Sequence, residues 1–162
     1  MILVALGSNK AGPWGSPRQT VERALSELAQ HGTKVEAASR LLVSAPFGRT
    51  DQAPFINAVA ILLTELSPEA LMARLHDIER SAGRHRITHW GPRTLDLDLL
   101  DYNGRVQIAA TGPILPHPGI AERIFVLKPI AELAPGWLHP VFKESAADLL
   151  RKLDPTGEGA EI

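Results

Sequence analysis

The sequence predicts an α+β fold in which two helices pack against an antiparallel sheet. Short apolar stretches alternate with two amphipathic helical stretches, in the order strand–helix–strand–strand–helix–strand. Each helical stretch opens on a Ser-Pro pair, which offers a side-chain cap and a proline at the first helical position. This order is typical of a ferredoxin-like β-α-β-β-α-β sandwich. We expect the helices on one face of the sheet and added segments at the C-terminus.

The first half of the chain supplies three of the strands. Residues 1–6 are predicted to form a short apolar strand, and Ser16 is predicted to cap a helix that ends at Gly32. Alternating apolar residues predict a strand over residues 35–44. The next strand, residues 55–66, is apolar on both faces, which is typical of a strand at the centre of a sheet.

The second half supplies the second helix and the last strand. Ser67 caps this helix and Gly83 ends it. Residues 94–100 alternate as a strand. A short helical turn over residues 129–133 and an amphipathic helix over residues 145–153 are the predicted C-terminal additions.

Two aspartates mark the last strand as a candidate site. Asp96 and Asp98 lie two residues apart, so both side chains point to one face, about 7 Å apart. The neighbouring leucines indicate a largely buried strand, where two like charges are costly unless a cation lies between them. Carboxylate oxygens suit Mg²⁺, and Arg93 adds a positive charge, so the pattern suggests phosphoryl-type transfer. The alternative is an exposed edge strand with two solvated acids.

A basic loop over residues 83–92 comes directly before the aspartates. It contains Arg84, Arg86 and an exposed-looking Trp90. Because the loop adjoins the acidic strand, its arginines must lie close to the carboxylates. This favours a polyanionic ligand bridged by a metal. The alternative is a solvated basic loop.

Four further polar features are interpreted from their local patterns. Asn57 interrupts the central strand, either as a hydrogen-bonded bridge to a neighbouring loop or as a ligand contact. His117 lies in a proline-fixed loop, where a lone histidine is more typical of packing or hydrogen bonding. Glu79 is expected to be a solvated acid unless the next loop folds over it. Residues 7–9, Gly-Ser-Asn, are not followed by Gly-Lys-Ser/Thr, and we interpret them as a plain turn.

Composition narrows the possible partners and compartments. A net charge of −1 gives no general attraction to nucleic acid or to an anionic membrane. No apolar run is long enough to span a bilayer, and the first residues lack a signal-peptide pattern. The absence of cysteine excludes disulfides and thiolate metal sites. We expect one cytoplasmic domain over residues 1–162, a monomer without nucleic-acid or membrane partners.

The run Trp-Gly-Pro-Arg-Thr-Leu-Asp-Leu-Asp at residues 90–98 resembles the motif of the 6-hydroxymethyl-7,8-dihydropterin pyrophosphokinase family. Other stretches resemble the same family in order along the chain: residues 7–9, 55–59, 79 with 83–86, 116–118 and 123–127. The resemblance implies an enzyme of folate biosynthesis that transfers pyrophosphate from ATP to the hydroxymethyl group of 6-hydroxymethyl-7,8-dihydropterin and releases AMP.

The resemblance also implies a set of site residues. Asp96 and Asp98 would hold two Mg²⁺ ions bound with ATP, and Arg84 and Arg93 would be the catalytic arginines that clamp its β- and γ-phosphates. The implied pterin contacts are Ser44, Ala45, Pro46, Phe47, Phe55, Asn57, Trp90 and Phe125. The implied ATP contacts are Glu79, Arg84, Arg86, Arg93, Leu99, His117 and Arg123.

Two other functions fit parts of the pattern. A Mg²⁺-dependent phosphoesterase would also use two strand carboxylates, and it predicts phosphate or pyrophosphate release without a pterin. A ferredoxin-like nucleic-acid-binding module needs exposed aromatic residues on the sheet and a basic surface. An aromatic content of 5% and the near-zero net charge count against that module.

Overall fold

The structure is a computed structural model that describes residues 1–44, 53–84, 93–108 and 112–154. Its strands and helices are β1 (Ile2–Ser8), α1 (Pro17–Leu28), β2 (Thr33–Ala38), β3 (Leu42–Ser44), β4 (Phe55–Thr64), α2 (Pro68–Ser81), β5 (Asp96–Tyr102), α3 (Ile124–Leu133) and α4 (Ala146–Leu153). The predicted order is confirmed, with one predicted strand divided in two. None of the helices in the described part of the chain has the length and apolar character needed to cross a membrane.

The strands form one antiparallel sheet. Its order is β2-β4-β1-β5, and β3 pairs with β4 beside the β2 segment. This is the predicted ferredoxin-like arrangement, with β4 at the centre, as its apolar residues on both faces indicated. β5 is the last strand in this order, yet Leu97 and Leu99 in it are only 4% and 6% exposed. β5 is therefore an edge strand, but its leucine side chains are buried.

Helices cover both faces of the sheet, which differs from the prediction of one covered face. Val4 and Leu6 of β1 pack in one cluster with α1 and α2. Leu3 of the same strand packs in a second cluster with Val59 of β4 and with α3 and α4. Because β4 is apolar on both sides, its second face also has to be removed from water, and the C-terminal additions cover it.

Residues 35–44 form two strands rather than one. Ser39 lies between β2 and β3, where its backbone N–H donates to the Val59 carbonyl at 2.8 Å and its Oγ accepts the Val59 N–H at 2.9 Å. A side-chain oxygen thus replaces a backbone carbonyl in the ladder, which interrupts the strand while β4 keeps its partners.

The helix starts and the C-terminal helix α4 agree with the sequence, whereas the end of α1 and the turn predicted over residues 129–133 do not. The predicted caps are confirmed: the side chains of Ser16, Ser67 and Ser145 each accept a backbone N–H in the first turn. α1 ends four residues before Gly32, which lies in the following turn with a φ of 85°. The turn expected over residues 129–133 is the second half of α3. Its Pro129 lies inside the helix, although proline is favoured at a helix start.

Candidate active site

A row across three strands brings an amide and a carboxylate to one face of the sheet. Gly7 of β1 pairs with Asn57 of β4 on one side and with Asp96 of β5 on the other. Paired residues share a face, so Asn57 and Asp96 point the same way, about 10 Å apart across two strand spacings. A Cβ at Gly7 would lie 3.2 Å from Asn57 Oδ1. We call the space over this glycine the Gly7 gap.

Asp96 is the carboxylate that the arginines hold. Its Oδ1 lies 2.7 Å from Arg84 Nη1 and 3.2 Å from Arg93 Nη1. Burial raises the pKa of the Asp96 carboxyl above its ordinary value, Arg84 and Arg93 oppose this rise, and Asp98 adds to it. Asp98 projects from the same face of β5 with a more exposed side chain, 42% against 24% for Asp96. The prediction of two carboxylates on one face beside arginines is confirmed.

Glu79 anchors Arg84 from the end of α2. It is 2% exposed, and its Oε2 accepts hydrogen bonds from Arg84 Nη1 at 2.5 Å and from the Leu97 backbone N–H at 2.8 Å. The Arg84 side chain is 8% exposed, and its backbone N–H donates to the Glu79 carbonyl. Arg84, three residues after the end of α2, therefore lies against Glu79, and this acid is buried rather than solvated. Arg84 is shared between two carboxylates from different elements.

His117 lies beside the more exposed carboxylate, that of Asp98, and Arg123 lies close to His117 and Gly119. His117 Nδ1 accepts the Gly119 backbone N–H at 3.0 Å, so neutral His117 carries its proton on Nε2. That Nε2 lies 4.0 Å from Asp98 Oδ1. Burial lowers the pKa of His117. The negative charge of Asp98 opposes this decrease, and the positive charge of Arg123 adds to it. A Cβ at Gly119 would lie 2.9 Å from Arg123 Nε, so this glycine leaves room for the guanidinium.

Ser44, Phe55 and Phe125 share the sheet face of Asn57. Asn57 is 5% exposed and its Nδ2 donates to Ser44 Oγ at 2.7 Å. Phe55 Cδ1 would lie 3.6 Å from a Cβ at Gly7. Phe125 of α3 packs against the cluster that covers this face. Asn57 is hydrogen-bonded to a neighbouring strand rather than to a loop, and its role as a ligand contact stays a prediction.

Similarity to known proteins agrees with this geometry. The sequence model of the 7,8-dihydro-6-hydroxymethylpterin-pyrophosphokinase (HPPK) family matches residues 3–135. The chain belongs to this family. It is 39% identical over 155 residues to a 2-amino-4-hydroxy-6-hydroxymethyldihydropteridine pyrophosphokinase of Methylorubrum extorquens, covering 95% of this chain and 94% of the relative. A Pseudomonas aeruginosa protein of the same name is 42% identical over 135 residues, covering 83% and 80%.

Solved structures agree on the fold. Wild-type HPPK-DHPS of Plasmodium falciparum aligns with a TM-score of 0.69 at 11% identity and covers 93% of this chain. This chain spans 44% of that longer chain. HPPK membership confirms the family and the enzyme class that the sequence predicted, a pyrophosphokinase, and neither alternative function is favoured.

Some predicted HPPK site residues lie elsewhere. Leu99 is 6% exposed, and its side chain packs in the cluster under α1 and α2, on the face opposite Asp98. A contact between Leu99 and ATP would therefore have to use its backbone. Five predicted residues lie outside the described residues: Ala45, Pro46, Phe47, Arg86 and Trp90.

The interpretation of residues 7–9 as a plain turn is wrong. Gly7 and Ser8 belong to β1, and Gly7 forms the floor of the gap. Asn9 is 5% exposed and hydrogen-bonds to the backbone of Arg93, 84 residues away. The family resemblance of this stretch was the available signal, because spacing along the chain does not reveal a contact at such separation.

Asp96 and Asp98 suit Mg²⁺ in donor type and number. Across the described ranges, no group of three or more His, Cys, Asp or Glu side chains is arranged to hold a metal. Mg²⁺ commonly binds through one or two carboxylates and takes its remaining oxygens from water and substrate phosphates. Arg84 and Arg93 now supply positive charge at Asp96, so a cation there would compete with them.

Proposed function

We propose that this chain binds ATP and 6-hydroxymethyl-7,8-dihydropterin over the Gly7 gap and transfers the terminal pyrophosphoryl group of ATP to the pterin hydroxymethyl oxygen. The products are AMP and the pterin diphosphate, a step of folate biosynthesis. The observation that carries this proposal is the gap itself, with the Asn57 amide at one end and the arginine-held Asp96 at the other, in a chain of the HPPK family.

The pterin would occupy the Asn57 end of the gap. An amide can hydrogen-bond the donors and acceptors of a pterin edge, and aromatic faces stack on a planar ring. Both residue types lie on this face of the sheet. The proposed pterin contacts among the described residues are Ser44, Phe55, Asn57 and Phe125. Ala45, Pro46, Phe47 and Trp90 are proposed with them from the sequence.

The triphosphate would occupy the Asp96 end. Guanidinium groups bind phosphate oxygens through paired hydrogen bonds, and Arg84 and Arg93 both reach Asp96 from outside β5. We assign these two arginines to the β- and γ-phosphates. The further proposed nucleotide contacts are Glu79, Arg86, Leu99, His117 and Arg123. Of these, Glu79 would act mainly by holding Arg84, because it is 2% exposed.

The chemical step exchanges one phosphorus–oxygen bond for another. The pterin hydroxyl oxygen bonds to the β-phosphorus, the bond from that phosphorus to the oxygen bridging the α-phosphate breaks, and AMP leaves with the bridging oxygen. The hydroxyl proton passes to solvent, and we assign no general base. The arginines stabilise the charge that spreads over the transferring oxygens, so positioning and electrostatics carry the rate.

Asp96 and Asp98 are the residues that would hold Mg²⁺ with the ATP phosphates, and we propose two ions. Bound there, the ions would neutralise triphosphate charge. The two oxygen-donor side chains on one strand face support this assignment.

We also propose that residues 1–162 act as one cytoplasmic domain and as a monomer without nucleic-acid or membrane partners. The net charge of −1 gives no general attraction to nucleic acid or to an anionic membrane, which supports this proposal. Light scattering at micromolar concentration tests the monomer, and a filter-binding assay with single-stranded RNA tests the absence of nucleic-acid binding.

Product analysis tests the reaction. The protein is mixed with ATP, Mg²⁺ and 6-hydroxymethyl-7,8-dihydropterin, and nucleotides are separated by anion exchange. AMP should form in step with the pterin diphosphate and should not form when pterin is omitted or when EDTA removes the metal. ADP as the main product contradicts the proposal. Release of phosphate or pyrophosphate without pterin would instead identify a phosphoesterase.

A further inference from the structure

The loop between β1 and α1 contacts both ends of the segment that carries the two arginines. At one end, Asn9 and Arg93 exchange two hydrogen bonds: the Asn9 N–H donates to the Arg93 carbonyl at 3.1 Å, and the Arg93 N–H donates to Asn9 Oδ1 at 2.8 Å. The Asn9 side chain also reaches a third segment, since its Nδ2 donates to the Ala53 carbonyl at 3.0 Å. Asn9 thus joins three stretches that are distant in sequence.

The rest of this loop packs against the neighbours of both arginines. A Cβ at Gly83, next to Arg84, would lie 2.7 Å from Pro13 Cδ. A Cβ at Gly12 would lie 2.8 Å from Cγ2 of Thr94, next to Arg93. Gly12 and Gly15 exchange backbone hydrogen bonds of 3.1 and 3.0 Å, which close the loop on itself. A larger side chain at position 12 or 83 would collide with these groups, so both positions need glycine.

Position 9 requires an amide side chain. The Arg93 N–H needs an acceptor, while the Ala53 carbonyl needs a donor, and asparagine provides both from one rigid group. Aspartate provides only the acceptor, and alanine provides neither. Glutamine has both groups, but its extra methylene displaces them at a site that is 5% exposed.

We propose that Asn9 is a positioning residue that holds Arg93 at the phosphate end of the Gly7 gap and ties it to Ala53, which leads into β4 at the pterin end. Asn9 touches neither substrate in this proposal and acts through the backbone of Arg93 and Ala53. The inference rests on the proposed function for its kinetic consequences. The hydrogen bonds themselves are testable without any activity.

Amide exchange tests the positioning directly. Hydrogen exchange of the Arg93 amide, followed by NMR, should be at least about tenfold faster in Asn9→Ala than in wild type, because its acceptor is lost. Asn9→Asp keeps the acceptor and should retain the protection. Equal exchange of this amide in wild type and in Asn9→Ala would overturn the inference, whether or not the protein is active.

Kinetics test the consequence for the reaction. Asn9→Ala should lower kcat on the order of 10²-fold, the size of effect that a displacement of about 1 Å produces in an active site. Asn9→Asp should raise the KM for pterin more than the KM for ATP, because it keeps the acceptor for Arg93 but sets a carboxylate oxygen against the Ala53 carbonyl. Asn9→Gln should resemble Asn9→Ala more than wild type.

Thr33→Val is the matched control for lost stability. Thr33 is 3% exposed and its Oγ1 bonds to Thr64 Oγ1 at 3.1 Å, at the end of β4 away from Asn57. This variant loses a partly buried hydrogen bond and should keep kcat and both KM values within twofold of wild type. An Asn9→Ala protein that matches this control in all three constants would also overturn the inference. If wild type makes no AMP while the exchange pattern holds, the proposed function fails and the positioning of Arg93 stands.

Discussion

Glu79 offers the sharpest test of how the site is held together. Substitution by alanine removes a buried acceptor from Arg84 Nη1 at 2.5 Å and from the Leu97 N–H at 2.8 Å. Breaking a buried ion pair costs about 3–5 kcal/mol, and an orphaned backbone N–H costs about 1–3 kcal/mol. Asp96 still pairs with Arg84 at 2.7 Å, which offsets part of the loss. We expect Glu79→Ala to lower the free energy of unfolding by about 3 kcal/mol, a large share of the typical total of about 5–15 kcal/mol.

Glu79→Gln should cost only about 1 kcal/mol, because the amide oxygen still accepts from both donors without the charge. Urea denaturation of metal-free, nucleotide-free protein measures these differences. Glu22→Ala is the control, since Glu22 pairs with Arg18 on the surface with side chains 57% and 59% exposed, where such pairs contribute about 0–1 kcal/mol. If Glu79→Ala is no less stable than Glu22→Ala, the buried anchor is refuted. A protein of unchanged stability that binds ATP weakly would make Glu79 a direct nucleotide contact instead.

Three further predictions concern the gap, the metal site and acid stability. Gly7→Ala should raise the KM for pterin at least about tenfold, because the new methyl group would lie 3.2 Å from Asn57 Oδ1; unchanged pterin kinetics would contradict the Gly7 gap. Asp98→Asn should slightly raise the Tm in EDTA by removing a charge beside Asp96, and it should abolish the Tm shift that Mg-ATP produces in wild type; a retained shift would mean that the metal binds elsewhere. His139 accepts two backbone N–H groups at Nδ1, and burial lowers its pKa, so wild type should lose stability as pH falls below about 6.5. His139→Asn keeps an acceptor without titrating, and equal acid sensitivity of the two proteins in urea melts would refute this assignment.

Local patterns in the sequence were sufficient to predict several features of the structure. The three helix caps follow from Ser16, Ser67 and Ser145, because a cap needs only residues within one turn. The shared face of Asp96 and Asp98 follows from the two-residue period of a strand. The family resemblance added the expected chemistry, and the family match over residues 3–135 confirms that assignment.

Features that depend on distant partners could be assigned only from the tertiary structure. The cover over the second sheet face and the division of residues 35–44 depend on where α3 and Val59 lie in space. The local pattern predicts that Glu79 is a solvated acid. In the structure it is 2% exposed and accepts the backbone N–H of Leu97, 18 residues away.

Asn9 shows the same limit at the site itself. The stretch it ends is a turn by composition, yet Asn9 bonds to Arg93, 84 residues away, and to Ala53, 44 residues away. Periodicity and capping depend on interactions between residues that are close in the chain, so they can be predicted from the sequence alone. The burial of a polar group and the choice of its hydrogen-bond partners depend on which segments meet, and only the packed tertiary structure decides that.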